Sequence, residues 1–360
     1  MSTLQATNLK HASSASNNIV LDSSGNATFA GTAVPASSFL RNRIINGDMR
    51  IDQRNAGASV TPASLAVTYT VDRWAFYVSA ASKLTAQRST VAPTGFTNSL
   101  LVTSSSAYTP GSSDLFNLFQ SVEGFNVGDL GWGTANAQTI TLSFWTRSSV
   151  TGTYSGAMSN SANNRFYLFN FTISAADTWE YKTVTIAGDT SGTWLTDNGI
   201  GVNVRFDMGA GSTYFGTAGS WSSSSTYKTS GSVNLVATSG ATFYLTGVQL
   251  EVGSAATPFE RRQYGQELAL CQRYYNRDVL VAVGGGATPT VTNRTFYCSV
   301  NWPVAMRAAP TMTLISTLAS SNMNAGAWVN LTASRGRFSA TNSVANDCAL
   351  EAQYSADIEL

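Results

Sequence analysis

General acid–base catalysis asks for a histidine or a pair of carboxylates, and the 360 residues contain one histidine, His11. Cys271, Cys298 and Cys348 are the three cysteines. They show no Cys-x-x-Cys spacing, so neither a zinc knuckle nor a disulfide framework is expected. There is no Gly-x-Ser-x-Gly elbow, phosphate loop or dinucleotide fingerprint. Gly284-Gly285-Gly286 reads as a linker, because no Gly-Lys-Ser/Thr follows it. A glycosidase needs two carboxylates about 5–10 Å apart. Asp114, Glu123, Asp129, Asp177, Glu180, Asp189, Asp197 and Asp207 sit in or beside turns, where Asp serves the backbone. The expectation is a chain that is not an enzyme, with no catalytic residue, cofactor or metal site.

Aromatic residues in polar, turn-rich surroundings are the remaining candidates. Trp132 lies between Gly131 and Gly133, Trp194 follows Ser191-Gly192-Thr193, and Trp221 precedes four serines, with Tyr227 further along the same stretch. A loop-borne ring offers a flat apolar face with a polar edge, which suits the C–H face of a sugar. A neutral Ser/Thr/Asn surface around it suits neutral or weakly charged glycans. The competing reading of each ring is a plug that closes the end of a sandwich. Charge is sparse but clustered. Arg41, Arg43, Arg50 and Arg54 lie near one end of the central region and Arg261, Arg262, Arg273 and Arg277 near the other; the chain has 17 Arg and 4 Lys. Arg favours bidentate pairing. Arg261, Arg262, Tyr264, Leu268, Cys271 and Tyr275 are therefore candidates for a subunit interface, or else for packing on the chain's own sandwich.

The elements that must hold these groups are strands. Only 11% of residues are charged and the net charge is +1, so no field recruits nucleic acid. No apolar run approaches the roughly 20 residues of a membrane span, and the first residues lack the apolar core of a secretory signal. Ser and Thr make up about a quarter of the chain, a composition that favours strands and turns over helices. Ile200, Val202, Val204, Phe206 and Met208 alternate with polar residues, as do Tyr167, Phe169, Phe171 and Ile173. Period two repeated between Gly/Ser/Asn clusters predicts two antiparallel sheets face to face. The expected class is all-β: an antiparallel jelly-roll sandwich over 41–257, a linking helix over 258–277, and a smaller β-sandwich over 278–360. The helix is read from Thr257 as N-cap, Pro258 at the first position and Glu260 three after the cap. Residues 1–40 form an extended arm, with a small hairpin pairing Ile19–Leu21 with Ala27–Phe29.

Several strings resemble tail-fibre and related tail proteins of tailed bacteriophages. They are NRIINGDMRIDQRNAG at 42–57, YTVDRWAF at 69–76, FYLTGVQLEVGSAATPFERRQYGQELALCQRYY at 243–275, PVAMRAAPTMT at 303–313 and SADIEL at 355–360. The leader at 8–32 resembles a fibre's particle-attaching segment. The resemblance implies a homotrimeric virion component, assembled in the host cytoplasm, with a jelly roll similar to carbohydrate-binding modules. It implies attachment to baseplate or tail proteins through residues 1–40 and adhesion to a host surface glycan without turnover. A carbohydrate-cleaving tailspike and a purely structural baseplate or connector part are the alternatives. Such modules hold a calcium ion on a Glu after the opening Asn-Gly and an Asp in the last strand. Met49-Arg50 and Thr246-Gly247 stand there instead, without the carboxylates a hard cation needs.

Overall fold

The computed structural model describes residues 7–10, 17, 19–21, 27–29, 32–34, 41–284, 292–345 and 348–360. His11, residues 22–26 of the expected hairpin turn, and Gly285 and Gly286 lie outside them.

The central region is the expected jelly-roll sandwich. One sheet has five strands in the spatial order Glu180–Ile186, Ile140–Ser148, Thr242–Val252, Ser99–Ser104, Leu84–Ser89. The other has seven: Trp221–Ser222, Phe166–Ile173, Gly152–Ser159, Ile200–Ala210, Leu115–Glu123, Ala75–Val78 and Val67–Tyr69. All strand pairings within both sheets are antiparallel. The period-two residues turn inward as the alternation requires. Val202, Val204, Phe206 and Met208 meet Leu142, Phe144, Phe243 and Leu250 in one buried core. Phe206 is its hub, with rings of Phe144 at 5.1 Å and of Trp74 at 6.4 Å.

The two sheets differ on their outer faces. The outward residues of the seven-stranded sheet are covered by the segment that follows Ala210. Tyr227 packs edge-on against Phe166 at 5.2 Å, and Lys228 reaches Asp207 at 3.2 Å with both side chains buried. Burial pushes the Asp207 carboxyl up to about 6, against the pull of Lys228. On the five-stranded sheet the segment after Val252 covers only part of the outer face: Thr257 and Glu260 bond Glu251 and Gln249, which are buried, while Trp145 and Tyr181 keep part of their surface exposed.

The strings at 42–57 and 243–275 fold against one another. Asn42 bonds Val248 and Leu250 through its side-chain amide, and Asn46 N–H donates to the buried Glu267 carboxylate at 2.5 Å. Gly47 is required at this contact, since a Cβ there would lie 2.2 Å from the Val248 carbonyl oxygen.

The helix is shorter and later than 258–277. It runs Tyr264–Gln272, with Gln263 as cap and Gln266 reaching back to close a capping box. The residues that resembled a cap are consumed by tertiary bonds. Thr257 donates through N–H and hydroxyl to Glu251 at 2.8 and 2.6 Å, and Glu260 accepts the Asn42 N–H at 2.8 Å. A strand, Tyr275–Gly284, follows almost at once.

That strand opens the small second sandwich. Its sheets are Tyr275–Gly284, Cys348–Asp357, Thr311–Ser321 and Thr295–Asn301, Arg335–Thr341, Ala327–Val329. Leu280, Ala352 and Tyr354 of one meet Trp302 and Phe338 of the other. The strand Cys348–Asp357 ends at Asp357, and residues 358–360 leave the sheet and dock on the large sandwich. Arg54 pairs with Asp357 at 2.7 Å and Glu359 at 2.9 Å, Arg73 pairs with Glu359, and Tyr69 donates to the Leu360 carbonyl at 2.8 Å. Of the clustered arginines, Arg43, Arg50, Arg54, Arg262 and Arg273 form ion pairs within the chain. The N-terminal strands Asn8–Leu9, Ile19–Leu21, Ala27–Phe29 and Thr32–Val34 form a small antiparallel sheet that includes the expected pairing of Ile19 with Phe29.

Candidate functional site

The loop tryptophans come together, but mostly with each other. Trp132, Trp194 and Trp221 form an edge-to-face triangle with centroid separations of 4.7, 5.2 and 5.3 Å. Each indole N–H donates to a loop carbonyl: Gln138 at 2.8 Å, Ser191 at 3.1 Å and Ala187 at 2.7 Å respectively. Trp132 is 7% exposed and Tyr227 8%. These two expectations are corrected, because a ring buried on both faces cannot stack on a sugar. Trp194 and Trp221 keep part of their surface exposed, but their polar edges are already engaged. The triangle closes one end of the sandwich by gathering three loops.

Four of the six candidate interface residues, Arg262, Leu268, Cys271 and Tyr275, are spent inside the chain. Arg262 bonds the carbonyls of Asn42 and Ile44 and pairs with Glu267 at 3.3 Å. Cys271 packs with Ile45, Ile51 and Tyr274, and burial raises its thiol well above the usual range. Arg54 stacks on the buried Tyr275 ring at 3.6 Å, and Leu268 lies on the Cys271 cluster. Tyr264, 56% exposed, and Arg261 face outward.

An exposed aromatic surface does exist, on the open face of the five-stranded sheet. Strand Ile140–Ser148 turns Leu142 and Phe144 inward, so Trp145 points out, directly opposite Tyr181 on the neighbouring strand. Their rings lie 5.4 Å apart, and Tyr181 is 43% exposed. Phe96 and Phe259 add a T-shaped pair at 5.2 Å beside them, and Trp179 with Tyr244 another at 5.9 Å. Phe96, Trp145, Tyr181, Phe259, Thr257 and Arg261 line an open groove of about 480 Å³. Among the described residues, the indole N–H groups of Trp145 and Trp179 have no protein acceptor, unlike those of the buried triangle. Half-exposed rings with free donors at their edges are the arrangement that can stack on a sugar face and bond its hydroxyls.

A bulge shapes this surface. Pairing of Ile140–Ser148 with Thr242–Val252 shifts between Ser143 opposite Gln249 and Trp145 opposite Thr246. Gly247, at φ +61°, takes up the extra residue. The shift lets Phe243 and Leu245, then Val248 and Leu250, all face the core. A Cβ on Gly247 would meet Phe96 at 2.7 Å and Trp145 at 3.1 Å. Gly247→Ala is expected to cost about 1–3 kcal/mol through left-handed strain and crowding, and to displace the Trp145 ring. Thermal denaturation with near-ultraviolet circular dichroism checks this; an unchanged midpoint and aromatic signal would refute it.

The eight carboxylates that a hydrolase might have used are each engaged. Asp114 accepts from Ser79 and Tyr108, Glu123 holds Arg273 and Tyr274, and Glu180 holds Lys182. Arg43 takes Asp129, Arg147 takes Asp177, Arg165 takes Asp189, and Lys228 takes Asp207. Asp197 accepts the Gly199 N–H at 2.8 Å. The sequence signal that marks the platform is the outward half of each strand's alternation, Trp145 and Arg147 beside Trp179 and Tyr181, which a reading of the core-facing half passes over.

No family model and no curated protein matches this sequence. Among solved structures it is similar to the enzymatically active domain of tailspike protein 4 of bacteriophage CBA120, at 11% identity and a TM-score of 0.30. That match covers 59% of this chain and 21% of the other. A family 11 carbohydrate-binding module from Clostridium thermocellum, in complex with a mixed-linked tetrasaccharide, gives 14% identity and a TM-score of 0.28 over 56% of this chain and 98% of the module. A putative sugar binding protein from Bacteroides thetaiotaomicron gives 12% identity and a TM-score of 0.32 over 59% of this chain and all of the other. Likenesses this distant say nothing of ligand or activity.

Proposed function

We propose that the chain is a non-catalytic glycan-binding adhesin whose site is the aromatic groove of the five-stranded sheet. The observation that carries this reading is the contrast in indole environment. Trp145 and Trp179 present half-exposed rings with free N–H edges, while Trp132, Trp194 and Trp221 have theirs bonded. Engagement of the eight carboxylates in ion pairs and turns supports adhesion rather than cleavage. The sequence resemblance supports placing the protein in a bacteriophage tail fibre. In this reading it is a homotrimer held to the baseplate or tail through residues 1–40, with the two sandwiches directed at the host surface. Joined copies raise the effective concentration of weak sites, so adhesion is multivalent.

The test is a glycan array probed with the full chain and with its Trp145→Ala variant, followed by a reducing-end assay on each retained polysaccharide. Retention of glycans by the wild type, its loss in the variant and no new reducing ends are expected. New reducing ends would assign the chain to the tailspike class instead. Equal retention of both proteins would place the site elsewhere.

A further inference from the structure

Arg261 forms one wall of the aromatic groove. Its guanidinium lies 4.6 Å from the centre of the Phe96 ring and 5.7 Å from that of Phe259. Its Nη2 packs against Gly95, 3.5 Å from where a Cβ would stand. The planar fork thus lies against two rings and a backbone glycine while the residue stays solvent-exposed. Eight of the chain's 17 arginines, Arg43, Arg50, Arg54, Arg73, Arg147, Arg165, Arg262 and Arg273, each reach a carboxylate, and the others, Arg261 included, do not among the described residues. The neighbouring carboxylates are committed elsewhere, Glu251 to Thr257, Glu180 to Lys182 and Asp177 to Arg147.

We infer that Arg261 reads an oxyanion on the bound sugar, so that the ligand of this groove is an acidic glycan. This rests on the glycan reading of the same groove and narrows its substrate class. It departs from the neutral glycan that overall composition suggests. The physical reason is local: a fork lying against two aromatic faces has less rotamer freedom to lose, and its N–H edge matches a carboxylate or phosphate bidentately. A pyranose stacked on Trp145 and Tyr181 has its substituents at the ring edge, where such a fork can meet them.

The experiment uses the full chain and an array of acidic and neutral bacterial surface polysaccharides. Each uronic-acid polymer is paired with its carboxyl-reduced form and each phosphate-bearing polymer with its dephosphorylated form. Retained glycans are expected to be acidic. Removing the charge from the glycan, or making Arg261→Gln, lowers affinity about tenfold or more, and the two changes together cost no more than either alone. Arg261→Lys, which keeps the charge but not the fork, falls between. Which pair responds, carboxyl or phosphate, names the oxyanion. Retention of neutral glycans, or an Arg261→Gln variant with the wild-type ratio of native to neutralised ligand, overturns the proposal. If Trp145→Ala binds as the wild type does, the site lies elsewhere, and if nothing is retained the glycan reading itself fails; this proposal falls in either case.

Discussion

Glu359→Ala is expected to destabilise the full chain by about 3–5 kcal/mol, because it strips the anion from a buried cation. Arg73 is 1% exposed. It stands between the two sandwiches with its guanidinium 3.6 Å from the centre of the Tyr274 ring, and Nη2 donates to the Ser121 carbonyl at 2.6 Å. Glu359, whose side chain is 5% exposed, supplies the only carboxylate that Arg73 reaches among the described residues, and its other oxygen takes Arg54. After truncation Arg54 keeps Asp357, whereas Arg73 keeps only a carbonyl and a ring face. Glu359→Gln retains acceptors without the charge and should fall between. Arg73→Met combined with Glu359→Leu should recover part of the loss, since removing both charges leaves nothing uncompensated. Denaturant unfolding of the four proteins measures this. If Glu359→Ala matched the wild type within error, the pair would be no part of what holds the domains together.

Trp132→Ala and Trp145→Ala should fail in opposite ways. Trp132 is buried within the indole triangle and donates to Gln138. Its truncation should cost about 3–5 kcal/mol, as for other buried aromatic deletions, and lower the thermal midpoint. Glycan retention should persist in whatever fraction stays folded. Trp145 is half-exposed on an open face, so its truncation should cost only about 1 kcal/mol of stability. Losing the stacking surface should instead cost on the order of 1–3 kcal/mol per site, by analogy with aromatic stacking on bases. Through joined copies that becomes near-complete loss of adhesion. Thermal midpoint and glycan retention, measured together on both variants, separate the roles. The reverse pattern, a stable Trp132→Ala protein that no longer binds, would return the site to the end of the sandwich.

The fold class was open to a reading of the chain because period-two burial is written into local sequence. Runs such as Ile200–Met208 have one face that must leave water, whichever strand lies beside them. Length and turn clusters likewise point to two sandwiches without reference to contacts, but Gly284, read as part of a linker, ends the first strand of the second sandwich and pairs with Cys348. The resemblance strings 42–57 and 243–275 contain the residues, Asn42, Asn46, Gly47 and Arg262, that bond one string to the other, so much of the resemblance lies in scaffold, although Thr257, Phe259 and Arg261 of the second string line the groove.

What only the tertiary structure decided is which surfaces stay open. Trp132, Trp194 and Trp221 lie in Gly- and Ser-rich loops that look exposed residue by residue, yet the three loops converge and bury the rings against each other. Thr257 and Glu260 have the types and spacing of a helix start, but Glu251, six residues earlier, and Asn42, distant in sequence, claim their hydrogen-bonding groups. The outward halves of both sheets carry aromatic residues. The segment after Ala210 folds over one sheet and leaves Trp145 and Tyr181 uncovered on the other. Alternation tells a strand which residues face the same way; whether that way is water or protein is set by chain that is distant in sequence.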